Sequence, residues 1–233
     1  MTAFRSTTVS LLACCASLSL LGCGTDRQLP LESRAELAVA GVSAQVSGGG
    51  APWSAFGAAA AVRQEAATNP WAVELRSEAS GPGFGGVAFE PRTPLTFAQV
   101  TALSADFNVT DDDCGGGSPR FQLNIDTDGD GDSDGNIFVA FGPSPNFTGC
   151  AAGWQSTGNL IGNNDQGRYD ASQVGGSTFG TYQDALAVAG EARVVGVQLV
   201  VDGSWFFADG EQTVLVDNVR VNQHTLTARG FLP

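Results

Sequence analysis

From Trp71 onward the chain is written in short runs that alternate apolar and polar residues. Trp71–Ser77 is apolar at every second position at its start, the period of a half-buried strand. Gly86–Pro91 is a shorter run that proline stops. In Thr101–Val109, the side chains of Leu103, Ala105, Phe107 and Val109 fall on one face. Arg120–Ile125 and Asn136–Phe141 bracket a polar loop and predict a β-hairpin. Val194–Val201 is apolar almost throughout and predicts a central strand covered on both faces. Gln212–Asn222 closes the series. Its valines step from even positions (Val214, Val216) to odd ones (Val219, Val221), which predicts a bulge at Asp217-Asn218.

Two further segments depart from this rhythm. Ala58–Glu65 is rich in alanine, which favours helix, but its setting among strands favours a first strand. Tyr182, Leu186 and Ala189 recur at spacings of four and three, so Thr181–Ala189 is expected to be a short helix. Between the hairpin and this helix, Gly142–Gly180 is rich in Gly, Asn and Ser and reads as a loop. Many short strands with turns between them and one short flanking helix define the fold class: all-β, an antiparallel β-sandwich. The sandwich is expected over residues 51–225, with a C-terminal tail at 226–233.

The first residues have another character. Met1–Thr8 carries Arg5 and no acid, and Val9–Leu21 is apolar or small. This run is too short for a comfortable membrane span and reads as an export signal. Leu20-Leu21-Gly22-Cys23 follows directly and resembles the lipobox of bacterial lipoproteins. The resemblance implies that residues 1–22 are a signal peptide, that Cys23 is lipidated, and that the chain sits in the cell envelope, anchored to a bacterial membrane. An ordinary secretory signal with an incidental cysteine is the alternative. Residues 23–50 end in Ser47-Gly48-Gly49-Gly50 and read as a tether.

Charge narrows the partners. The 233 residues carry a net charge of −13, and all eleven basic residues are arginine. Such a chain lacks the basic face that nucleic acid or an anionic lipid surface requires. Cysteine usage agrees with export. Once Cys14, Cys15 and Cys23 are set aside, Cys114 and Cys150 remain as one pair, and a disulfide between them is expected, closing the outer ends of the hairpin.

The hairpin tip is the strongest candidate for chemistry. Asp126, Asp128, Asp130, Asp132 and Asp134 alternate with Gly, Ser and Thr, with no basic residue among them. Five like charges on a short glycine-containing loop repel, and hard oxygen ligands favour Ca²⁺. The spacing matches an EF-hand at positions one, three, five, six and nine, but Ile137 stands where a bidentate Glu belongs. The loop resembles the Asp-rich calcium loops of thrombospondin-type and dockerin-like modules. A solvated turn is the alternative reading; Asp111-Asp112-Asp113, a second acidic run, reads as a solvated turn rather than a site.

Gly85–Pro91 and Val216–Asn222 together resemble the jelly-roll architecture of carbohydrate-binding modules and laminin-G-like domains. That resemblance implies sugar binding and makes Asp217 a candidate for a second, structural calcium; an aspartate bonding its own bulge is the alternative. Trp53, Trp71, Trp154, Tyr169, Trp205, Phe206 and Phe207 are the aromatic candidates, most of them destined for the core. Trp154 and Trp205 are the best exposed platforms. Catalysis has little support. His224 is the single histidine, lysine is absent, and Glu74 with Glu90 is a carboxylate pair that no spacing favours. The reading is therefore a calcium-stabilised, lipid-anchored module that binds glycan or an envelope protein. The alternatives are a structural envelope component without a small ligand and a glycan-cleaving enzyme.

Overall fold

The structure is a computed structural model that describes residues 52–64 and 70–231. The expected leader, Cys23 and the expected tether lie outside the described residues. Eleven strands form in chain order: β1 (Trp53–Arg63), β2 (Trp71–Glu78), β3 (Gly85–Phe89), β4 (Leu103–Asp111), β5 (Arg120–Asp126), β6 (Gly135–Ala140), β7 (Gln155–Ser156), β8 (Tyr169–Asp170), β9 (Arg193–Val201), β10 (Glu211–Val221) and β11 (His224–Leu226). One α-helix, α1 (Tyr182–Ala189), precedes β9. The fold is the expected all-β antiparallel sandwich with one short helix.

The two sheets share β1. Trp53–Gly57 pairs with β3, and Ala58–Arg63 pairs with β2. The switch falls at Gly57, whose φ is +61°. A Cβ there would collide with the carbonyl oxygen of Phe84, which accepts the amide of Ala58 at 3.0 Å. Only glycine fits that corner without strain. One sheet then runs β1-β3-β9-β5-β6-β8 and the other β1-β2-β10-β4-β7, with β2 and β11 taking turns along one side of β10. A strand rich in small alanines thus turns out to be the hinge of the architecture.

Inward side chains from both sheets form one core. Val73, Leu75, Phe107, Val214 and Val216 face Val87, Leu123, Ile137, Val197 and Leu199, all of them buried. Phe141 bridges the layers, with its ring 5.1 Å from Phe107 and 5.2 Å from Phe121. The capping box of α1, in which Thr181 accepts from the Asp184 amide and Asp184 accepts from the Thr181 amide, starts the helix where its spacing placed it.

Three details differ from expectation. β9 is central, between β3 and β5, but Val195, Gly196 and Gln198 are only half-buried, so just its last residues are covered on both sides. A bulge against Asn124 and Ile125 shifts its phase, so that Val194 and Val197 both point inward. The Gly142–Gly180 loop contributes the two-residue strands β7 and β8, which form only because β4 and β6 offer free edges. Leu226 and Ala228 are buried, so the sandwich continues past residue 225. At the opposite extreme of predictability, the β10 bulge sits where the valine phase changes: Asn218 has φ +50° and the register against β4 shifts between Asp217 and Arg220.

Candidate functional site

One end of the sandwich is stapled together from several loops. The Cys114–Cys150 disulfide forms, with Cα atoms 5.4 Å apart. Asp113 buttresses it: one carboxylate oxygen accepts the amides of Cys114 at 2.7 Å and Cys150 at 2.5 Å. Behind this lies Gln212, with no exposed surface at all. Its amide nitrogen donates to the carbonyls of Asp113 (2.8 Å) and Ser118 (3.3 Å). Its oxygen accepts from the Ser118 hydroxyl (2.5 Å) and the Gly203 amide (3.2 Å). All four hydrogen-bonding positions of one side chain are used, and they join the 113–118 turn to the 203–210 turn. Ser77 adds a tie by accepting the Ser204 amide at 3.0 Å.

This frame presents aromatic rings to solvent. Trp205 is 71% exposed and Phe206 is 50% exposed. Their ring centroids are 5.7 Å apart at 74°, and Phe206 meets Phe207 edge-on at 5.2 Å. The run lies on a 3₁₀ turn (Gly203–Trp205), so the alternation of an extended strand does not apply. Phe206 rests on Gly115 and Gly116: a Cβ on the first would lie 2.6 Å from its ring and one on the second 2.8 Å from its Cβ. Those glycines bring the ring down onto backbone.

In the same two connections, carboxylate oxygens of Asp111, Asp112 and Asp209 lie within 4.8 Å of one another. Asp112 has φ +62°, a turn conformation. Partial desolvation, then the charge of Asp209 and a hydrogen bond with it, then Asp111 and Glu211, push its pKa from 3.8 up to about 6. The sequence showed only the local Asp111–Asp113 run. Asp209 joins it because β4 and β10 pair and leave their ends side by side.

The Asp-rich loop lies at the far end of β5. Asp126, Asp128 and Asp130 come together, with oxygens within 4.8 Å of one another. Asp126 is buried, and its oxygens accept the amides of Gly129 at 2.6 Å and Gly131 at 3.0 Å. Asp132 stands outside this group. Asp134 turns back instead and accepts from the hydroxyl (2.6 Å) and amide (2.7 Å) of Thr127, bonds that hold its carboxyl below the usual range. The loop's positive partner comes from elsewhere in the chain: the Arg193 guanidinium approaches Asp126 to 3.6 Å and donates to the Gly129 carbonyl at 3.3 Å. The donor set is all oxygen, which fits a hard cation such as Ca²⁺.

The remaining candidates are dispersed. Trp154 is 41% exposed, beside edge strand β7, and its indole nitrogen donates to Gln64 at 3.2 Å. Gln64 follows the end of β1 that pairs with Trp71, whereas Trp205 lies toward the opposite end of β2. Trp53 and Tyr169 are core residues, and Trp71 is half-buried. Asp217 is buried and accepts the Ala228 amide at 2.9 Å, which ties the last segment to β10. His224 packs its ring 5.2 Å from Phe89. Glu74 is on β2 in one sheet, and Glu90 follows β3 in the other.

The raised acid has a consequence for stability. An acid with a higher pKa in the folded state holds its proton more tightly there than in the unfolded chain. Its contribution is therefore fully present below 3.8 and is lost as pH rises through about 6. Asp112→Asn removes the like charge and suits a positive φ. Thermal melts across this range should show a Tm a few degrees above wild type at neutral pH, with the difference closing on acidification. A constant offset at every pH would contradict the assignment.

No protein-family model matches the chain, and no curated protein matches it. Among solved structures, it resembles an exo-β-agarase at 15% identity and TM-score 0.35, over 76% of this chain and 24% of that one. It also resembles the agarase AgWH50C at 13% identity and TM-score 0.37, over 73% of this chain and 22% of that one. The chain spans about a quarter of the length of these structures.

Proposed function

We propose that this chain is a lipid-anchored envelope module that binds glycan through the aromatic end of its sandwich and holds calcium at the Asp-rich loop. The observation that carries the glycan reading is the exposure of Trp205 and Phe206 on a rigid frame. Large aromatic surface left in water is unfavourable, and here glycines, a disulfide and a fully bonded glutamine hold it there. Flat aromatic faces stack on the C–H faces of sugar rings while the surrounding polar groups take hydroxyls. Trp154 offers a second, separate platform.

One observation favours a hydrolase instead: a carboxyl with a pKa near 6 beside two others. The geometry argues against it. Asp112 and Asp209 bond to each other, which leaves no gap for a glycosidic bond between them. We therefore read the chain as a binding protein.

Trp205→Ala should weaken retention on an immobilised glycan panel by tenfold or more while leaving the melting curve near wild type. Unchanged retention on every glycan that binds the wild type removes the reading. For the loop, Asp126, Asp128 and Asp130 would hold the ion. Millimolar calcium should raise Tm, and Asp128→Asn should abolish the rise; a flat response in the wild type excludes the ion. The anchor rests on the Leu20–Cys23 motif, and Cys23→Ser should lose metabolic palmitate label.

A further inference from the structure

Resting on the glycan reading, we infer that the site continues past Trp205 and Phe206 to a second aromatic pair, Phe147 and Phe179. Its ligand is then an internal run of a neutral polysaccharide chain, not a single sugar. Strand order places both pairs at one end of the β9-β5-β6-β8 sheet. Val200, Arg120 and Ala140 lie side by side on β9, β5 and β6, close to where the chain leaves or enters the sheet. β9 runs out into the turn that bears Trp205 and Phe206, and β5 is entered from the 113–118 turn on which Phe206 rests. β6 runs out into the loop that bears Phe147, and β8, the next strand, is entered from Gly167 and Arg168. From β9 to β8 is three strand spacings, roughly 14 Å, which exceeds one sugar ring. Contacts fill the interval. A Cβ on Gly142 would lie 3.3 Å from the Cβ of Cys114 and 2.8 Å from the carbonyl oxygen of Phe147.

The second pair is held as firmly as the first. Arg168 is 7% exposed, and its guanidinium donates to the carbonyls of Ala140 (2.9 Å) and Gly142 (3.2 Å) and to the Asp165 carboxylate (2.9 Å). Phe147 lies on this fixed plane, with its ring centroid 4.6 Å from Cζ. Its φ of +54° is a conformation that a bulky residue rarely adopts. Gly167 lets two rings approach: a Cβ there would lie 3.2 Å from Phe147 and 3.9 Å from Phe179. Phe179 is 72% exposed, yet its backbone is bonded on both sides. Its amide donates to the Ser177 hydroxyl at 3.2 Å, its carbonyl accepts from the Gln166 side chain, and the Gly180 amide donates to Tyr169 at 2.8 Å. A ring fixed in water gains when a ligand covers it. The neighbours set the class of ligand. Asn146, Thr148, Ser177 and Thr178 flank the rings, exposed and uncharged, and the charge of Arg168 is matched by Asp165. Such a surface suits sugar faces and hydroxyls and gives a charged group no partner.

The test uses the intact protein and calorimetry on oligomers of increasing length, from the disaccharide upward. β-1,4- and β-1,3-linked glucose oligomers are the first two series, and a further one is cut from whichever neutral polymer best retains the wild type. Affinity should rise with length past the disaccharide, by about tenfold in all, and then level off. Phe179→Ala and Phe147→Ala should remove most of that rise and leave the shortest bound oligomers unchanged. Trp205→Ala should weaken every length. Affinity independent of length, or a rise that survives in both phenylalanine variants, overturns the extended site and leaves the Trp205 platform standing. Retention on charged polysaccharides alone overturns the neutral class. Failure of every oligomer and every polymer overturns the glycan reading as well. Partition into phosphatidylcholine vesicles that Phe179→Ala abolishes, with oligomer binding untouched, also overturns the inference, because the second pair then meets lipid. Melting curves separate lost binding from lost folding, and Phe179→Ala, at a ring mostly in water, decides alone if Phe147→Ala does not fold.

Discussion

The aromatic end of this molecule depends on the side-chain amide of Gln212. A primary amide buried without partners costs about 1–3 kcal/mol, so a strand that turns one inward must surround it with donors and acceptors. β10 does this by drawing in the 113–118 turn, the Ser118 hydroxyl and the Gly203 amide. The 113–118 turn is Asp, Cys, Gly and Ser with little apolar surface to pack, and the amide supplies directional bonds that fix it to the 203–210 turn instead. The disulfide and Asp113 secure the outer side of the same frame. Trp205 can then stand in solvent on a turn that does not have to collapse over it.

The two ends of the sandwich solve the same electrostatic problem differently. Both bring three aspartates together on a chain with a large negative charge. At the hairpin tip, backbone amides and Arg193 approach the carboxylates. At the other end, the oxygens of Asp111, Asp112 and Asp209 lie close together, and partial desolvation, then the neighbouring carboxylates, make Asp112 take up a proton more readily. The first arrangement stabilises a loop. The second leaves three carboxylates close together where β4 and β10 end side by side.

Much of the fold was legible because period-two patterning reports burial directly. Thr101–Val109 and Gln212–Asn222 show their inward faces in the sequence, and even the bulge at Asp217-Asn218 follows from a change of valine phase. β7 and β8 were not legible, since two-residue strands take their existence from free edges elsewhere. The role of Gln212 was half visible. It lies in phase with Val214 and Val216, so the pattern placed it inward, but its partners come from turns far away in sequence. The same distance hides Asp209 from Asp111-Asp112 and Arg193 from Asp126.

That last pairing changes what the Asp-rich loop requires. Read along the chain, five aspartates without a basic neighbour demand an external cation for any compact form. Read in the fold, Asp126 takes amides from Gly129 and Gly131, Asp134 takes the amide and hydroxyl of Thr127, and Arg193 reaches in from β9. A carboxylate that accepts several such bonds is already stabilised in its charged form. The loop's shape therefore follows from its own hydrogen bonds. Calcium would add to that stability by competing with Arg193 for Asp126, and its effect would be an increment on a preformed tip, not the condition for having one.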